Sequence, residues 1–161
     1  MKRIALAALL LACPLPAAAA AGPGPVNWNL TKDQIASSCK AAIAQAQGRL
    51  KSILAQRGTR TFANTVLRLE DLSSDLNDTT IADQFLFNVT TDTAVQQASL
   101  NCNNDESSFF TDLSASPQLY AALAAAVRSN TAKDVYQRKL ASSWLDTLKR
   151  SGAGLASARR L

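Results

Sequence analysis

Histidine is absent from the whole of this 161-residue chain, and that absence excludes more chemistry than any motif present supplies. A zinc peptidase of the His-Glu-x-x-His type holds its metal with two imidazoles one helical turn apart and uses the intervening glutamate as general base. Ser-His-Asp and Cys-His catalysis likewise need an imidazole to take the proton. None of these sites can be assembled from the sequence, so no residue is assigned a catalytic or metal-ligating role. Aromatic residues are scarce at 6%. No run alternates polar and apolar residues as a half-buried strand does. The net charge of +5 includes Lys2 and Arg3, and their removal leaves +3. With so few aromatics that charge is too mild for a nucleic-acid footprint, and no nucleic-acid partner is expected.

What is present begins with a leader. Met1-Lys2-Arg3 is a charged start, and residues 4–12 form an apolar run too short to span a bilayer. Pro14 and Pro16 break the run before the small residues 17–21. Residues 1–21 therefore read as a secretory signal peptide, with 22–30 as a Gly- and Pro-rich linker. The expected destination is the bacterial periplasm or the extracellular space. Leu10-Leu11-Ala12-Cys13 also resembles a lipobox, which would lipidate Cys13 and hold the chain to a membrane. The segment before Cys13 is short for that, which favours ordinary cleavage near Ala20 or Ala21. After such cleavage Cys39 and Cys102 remain. An oxidising compartment allows them to pair. Both also fall on apolar helix faces, where a thiol packs as a small hydrophobe. Both readings stand, and two cysteines alone make no zinc site.

Residues 31–161 read as an all-α antiparallel bundle. Thr31-Lys32-Asp33-Gln34 is a capping box. It opens an amphipathic helix bearing Ile35, Cys39, Ala42, Ile43, Ala46, Leu50, Ile53 and Leu54, expected to end near Arg57-Gly58. A second helix carries Phe62, Val66, Leu69, Leu72 and Leu76. Asn77-Asp78-Thr79-Thr80 is expected to interrupt it before it resumes to Asn88. Asp92 opens a third with Val95, Ala98, Cys102, Phe109 and Leu113 on its apolar side, and its polar run 101–108 is expected to bend it. Ser116-Pro117 supplies an N-cap and an N1 proline to an alanine-rich fourth helix of interior character. Thr131-Ala132-Lys133-Asp134 caps a fifth, with Val135, Tyr136, Leu140, Trp144, Leu145 and Leu148 on its apolar face and Gly152 at its close.

Other constellations do not rise to sites. Glu70, Asp71, Asp75 and Asp78 suggest a carboxylate pair, yet solvation on a helix surface accounts for them without a pocket. Asn101-Cys102-Asn103-Asn104-Asp105-Glu106 lacks the glycine and the bidentate glutamate of an EF-hand loop. Asn29, Asn77 and Asn88 head Asn-x-Thr sequons, which matter only in a host that glycosylates them. Arg138, Lys139, Lys149, Arg150, Arg159 and Arg160 gather toward the end, where cations near helix C-termini suit the helix dipole.

One resemblance organises the second half. The turn Val89-Thr90-Thr91-Asp92 opens a helix with Ala98 at its heart and Phe109-Phe110 near its end. Leu119-Tyr120 lies on a short helix, and a basic helix closes in Arg150-Ser151-Gly152-Ala153-Gly154-Leu155. This order is similar to the N-terminal helical region of the thimet oligopeptidase and neurolysin family of zinc metallopeptidases, which includes bacterial oligopeptidase A and peptidyl-dipeptidase. It covers at most residues 62–161. Gln96 stands where that family often has an arginine. The resemblance implies an all-helical, two-lobed enzyme with a deep channel that admits short peptides and excludes folded proteins. It makes this chain a non-catalytic wall of that channel and puts the zinc ligands beyond Leu161.

The last residues, Ala156-Ser157-Ala158-Arg159-Arg160-Leu161, look like the first turns of a further helix. On that expectation the helical domain is incomplete at its C-terminus and the chain is a piece of an exported zinc oligopeptidase. The alternative is a small exported helical module that binds a partner and has no enzymatic activity, since residues 22–161 suffice to bury a core.

Overall fold

Local chemistry places each helix end in the computed structural model, which describes residues 27–155. Residues 1–26, which hold the expected signal peptide and Cys13, and residues 156–161 lie outside the described residues. Helix α1, Lys32–Leu54, starts at Thr31, whose hydroxyl accepts from the Gln34 backbone N–H while the Gln34 side chain accepts from the Thr31 N–H. It stops at Leu54, short of Gly58, because the Arg60 guanidinium takes the carbonyls of Ile53 and Leu54. A π-helical turn, Phe62–Val66, capped by Thr61, leads into α2, Leu67–Val89. Helices α3, Thr93–Ser114, α4, Pro117–Arg128, and α5, Val135–Arg150, follow. Asp92, Ser116 and Asp134 are their N-caps, each side chain accepting from a first-turn N–H.

The described residues form an all-α bundle. Ser38 meets Asp83 and Arg49 pairs with Asp75, so α1 and α2 run antiparallel. Thr80 meets Glu106, and Leu86 shares a buried cluster with Val95, so α2 and α3 are antiparallel as well. It follows that α1 and α3 are parallel, joined by a disulfide between Cys39 and Cys102. Helices α4 and α5 pack on each other and on the π-helical turn. The larger core holds Leu69, Leu72, Leu113, Leu119, Leu123 and Leu148, all essentially inaccessible. Burying each contributes about 1.5–3 kcal/mol. A smaller core surrounds the disulfide with Ile35, Leu86 and Val95.

Several expectations are corrected. Helix α2 runs unbroken through Asn77-Asp78-Thr79-Thr80. The hydroxyls of Thr79 and Thr80 fold back onto the carbonyls of Asp75 and Leu76, and Thr80 turns into the bundle. The polar run 101–108 lies within the single helix α3, its buried members Cys102 and Glu106 facing α1 and α2 while Asn103, Asn104 and Asp105 are exposed. Asp134, not Thr131, caps α5; the Thr131 hydroxyl instead accepts from the Phe62 N–H and ties the α4–α5 loop to the π-helical turn. Val135 and Tyr136 are not on the apolar face of α5, being 62% and 83% exposed, and Ala141 and Leu148 carry its burial. Helix α4 is interior on one face only, along Leu119, Ala122, Leu123 and Ala126.

The stop after α5 is a Schellman motif. Gly152 N–H donates to the Lys149 carbonyl and Ala153 N–H to Leu148, with Gly152 at φ +79°. A side chain at Gly154 would meet the Tyr120 ring at 3.1–3.3 Å, so glycine there lets α4 seat against the turn.

Candidate functional site

A groove of about 1120 Å³ runs along the outer side of the parallel pair α1 and α3. Its floor is the disulfide with Ile43, Ala98, Phe109 and Leu113, all buried or half-buried. Exposed polar side chains line its rims. Lys32 and Asp33 stand toward the helix N-termini, Lys40 and Asp105 near the disulfide at mid-groove, and Ser108 and Asp112 toward the C-terminal end of α3. Helix α3 contains no lysine or arginine, so its carboxylates have no cation on their own helix. Gln97 donates to Asn101 at 2.9 Å across one turn of the rim.

Behind the groove, two acids lie inside the three-helix unit. Asp83 on α2 is 3% exposed. Burial raises its carboxyl above the usual carboxylate value of 3.8, opposed in part by the Ser38 hydroxyl 2.5 Å from Oδ2. Protonated, Asp83 can donate to Ser38 Oγ, leaving the Ser38 proton for the Gln34 carbonyl at 2.8 Å. Glu106 on α3 is 7% exposed and accepts from the Thr80 hydroxyl at 2.6 Å and from the Gln84 amide. The Ser99 hydroxyl, fully buried on α3, has no hydrogen-bond partner among the described residues.

Of the residues singled out by the sequence, Cys39 and Cys102 are bonded, with an S–S distance of 2.08 Å and Cα atoms 5.7 Å apart. Cys13 lies outside the described residues. The acids of α2 do not form a catalytic pair. Glu70 accepts from Trp144 Nε1 at 2.7 Å, Asp75 is ion-paired with Arg49, and Asp71 and Asp78 are exposed. The segment 101–106 is regular helix and cannot wrap an ion. Among the described residues no cluster of three or more His, Cys, Asp or Glu side chains is placed to hold a metal, and no helix is long and apolar enough to cross a membrane.

Sequence reasoning missed Asp83, Glu106 and Ser99, although the spacing that betrays them is there. Leu69, Leu72, Leu76, Thr80, Asp83 and Leu86 form one continuous buried face, as do Val95, Ser99, Cys102, Glu106, Phe109 and Leu113. Extending each apolar stripe without a break would have placed these polar residues inside. No protein-family model matches the chain, and no curated protein is significantly similar to it.

Proposed function

We propose that this chain is a non-catalytic helical wall of an exported zinc-dependent oligopeptidase acting on short peptides, with zinc and the water-activating groups supplied by residues beyond Leu161. The observation that carries the reading is the helix order of the second half. A turn at Thr90-Thr91-Asp92 opens α3, which carries Phe109-Phe110 near its end; α4 is short, and basic α5 stops at Gly152. Two separated parts of that pattern also touch, since Tyr120 rests beside Gly154. The absence of histidine from the chain agrees with a role as scaffold and wall. The Cys39–Cys102 bond suits an oxidising compartment outside the cytoplasm.

A second reading, a small exported module that binds a partner without catalysis, is favoured by the core that α1–α5 close among themselves. One experiment separates the two. An antibody against residues 133–149 is used on extracts of the source cells, and the captured product is weighed and assayed on short peptides with and without chelator. A product several times heavier, with chelator-sensitive cleavage, is the expected result. A product of this chain's mass with no cleavage overturns the peptidase reading and leaves the binding module.

A further inference from the structure

Two helices carry apolar side chains on the side turned away from the bundle. The C-terminal half of α2 buries Leu76 and Leu86, yet Ile81, Phe85 and Val89 on its opposite side are each about half exposed. Trp28, also half exposed, packs edge-on against Phe85 with ring centroids 5.6 Å apart. A helix segment that is apolar all round is ordinarily covered on both sides. On α5, Val135 and Tyr136 are more exposed still. The charges around these two faces are of opposite sign. No lysine or arginine occurs between Arg68 and Arg128, and Asp71 and Asp78 stand exposed on the outward side of α2. Helix α5 presents Arg138, Lys139, Lys149 and Arg150, all exposed, against one acid, Asp146. The ion pair found among the described residues joins Arg49 to Asp75, so none of these other charges is matched there.

The two faces also match in length. Fourteen residues separate Asp71 from Phe85, and fourteen separate Tyr136 from Arg150, in each case about 21 Å at helical rise. That spacing is close to four full turns, so aromatic and charge share one face of each helix. Laid antiparallel, α2 of one copy and α5 of another set Phe85 against Tyr136 and Asp71 against Arg150 together. Asp78 then falls one turn from Lys139, and Asp146 falls beside Asp75, whose charge Arg49 already offsets. We propose that this chain self-associates head to tail, the outward face of α2 on one copy receiving the outward face of α5 on the next. The proposal is independent of the peptidase reading. Because the two faces differ, each added copy leaves one of each kind free, so the contact builds a ring or an open chain and does not stop at a symmetric dimer.

Sedimentation equilibrium of the purified chain tests the contact. The average mass is expected to climb past that of a dimer as concentration rises, with a Kd of about 10–100 μM, weak as befits an interface under about 1,200 Å². I81S/F85S removes the apolar part of the α2 face and V135S/Y136S that of the α5 face; all four side chains are exposed, so the core is untouched. Each variant alone should stay monomeric, and their equimolar mixture should form a heterodimer that grows no further. D71R and R150D should each weaken association at least about twofold, and D71R/R150D should restore it, with far-UV circular dichroism unchanged throughout. A chain that stays monomeric up to about 1 mM, including one that binds lipid vesicles instead, overturns the proposal. So does self-association retained by either apolar variant, which marks a contact of like with like. A mixture that does not pair, or charge reversals that do not rescue each other, overturns it as well.

Discussion

Replacing Cys39 and Cys102 together by alanine is expected to remove about 4 kcal/mol of stability at 25 °C. The bond joins residues 63 apart in sequence, and closing a loop of that length costs the unlinked denatured chain about that much entropy. A domain of this size has only about 5–15 kcal/mol in all, so the loss is a large share and should lower Tm by roughly 10–15 °C. Urea unfolding followed by far-UV circular dichroism measures it on three samples: oxidised protein, protein held reduced by thiol, and C39A/C102A. The reduced protein keeps the same side chains and isolates the cross-link from packing around two sites that are 3% and 2% exposed. Because the stabilisation acts on the denatured ensemble, the m-value should rise when the bond is absent, as the unfolded chain expands. A loss under about 1 kcal/mol with an unchanged m-value would refute the entropic argument. Two titratable thiols in the native, unreduced protein would refute the bond itself.

The remaining predictions concern buried polar groups and backbone. Asp83 has a folded-state pKa above its unfolded value, so its contribution is full below pH 3.8 and is lost as pH rises through the folded pKa. Asp83→Asn should therefore raise the urea midpoint at pH 7 and leave it unchanged near pH 3; an equal shift at both would show that the carboxyl charge is not the cause. Glu106→Ala should cost about 1–3 kcal/mol, since it removes the buried carboxyl that accepts from both Thr80 and Gln84 and leaves Thr80 only the Leu76 carbonyl; thermal unfolding reads the loss, and no change would mean that water reaches the site. Gly48, within α1 with open space around it, should accept alanine with a gain of about 0.5–1 kcal/mol. Gly152→Ala, at φ +79°, should cost about 1–2 kcal/mol, and the opposite order of the two glycine variants in a melt would discredit the Schellman assignment.

The helices were legible because their signals are local. Thr31 with Gln34, Ser116 with Pro117, and Gly152 each act within one turn, and every core leucine repeats at helical spacing. The errors arose where a local signal was outvoted. Asn77-Asp78-Thr79-Thr80 looks like a breaker when only its neighbours are weighed. In the bundle, Thr80 satisfies its hydroxyl on Leu76 and Glu106, and Leu76 and Leu86 pack on either side of it. Thr131 reads as a cap until Phe62, distant in sequence, claims its hydroxyl. Tyr136 reads as core until the neighbours of α5 prove to cover Ala141 and Leu148 instead.

The sequence by itself determined that the chain is all-α, where most of its helices begin, and that it cannot build an imidazole-based catalytic centre. Each of these depends on residue identity or on contacts within one turn. Only the tertiary structure decided that α1 and α3 lie parallel, that Cys39 reaches Cys102, that Asp83 and Glu106 are withdrawn from water, and that a groove runs along one side. Those features join residues tens of positions apart. Helical periodicity says which face a residue occupies, but the field and the partners at that face come from the other helices.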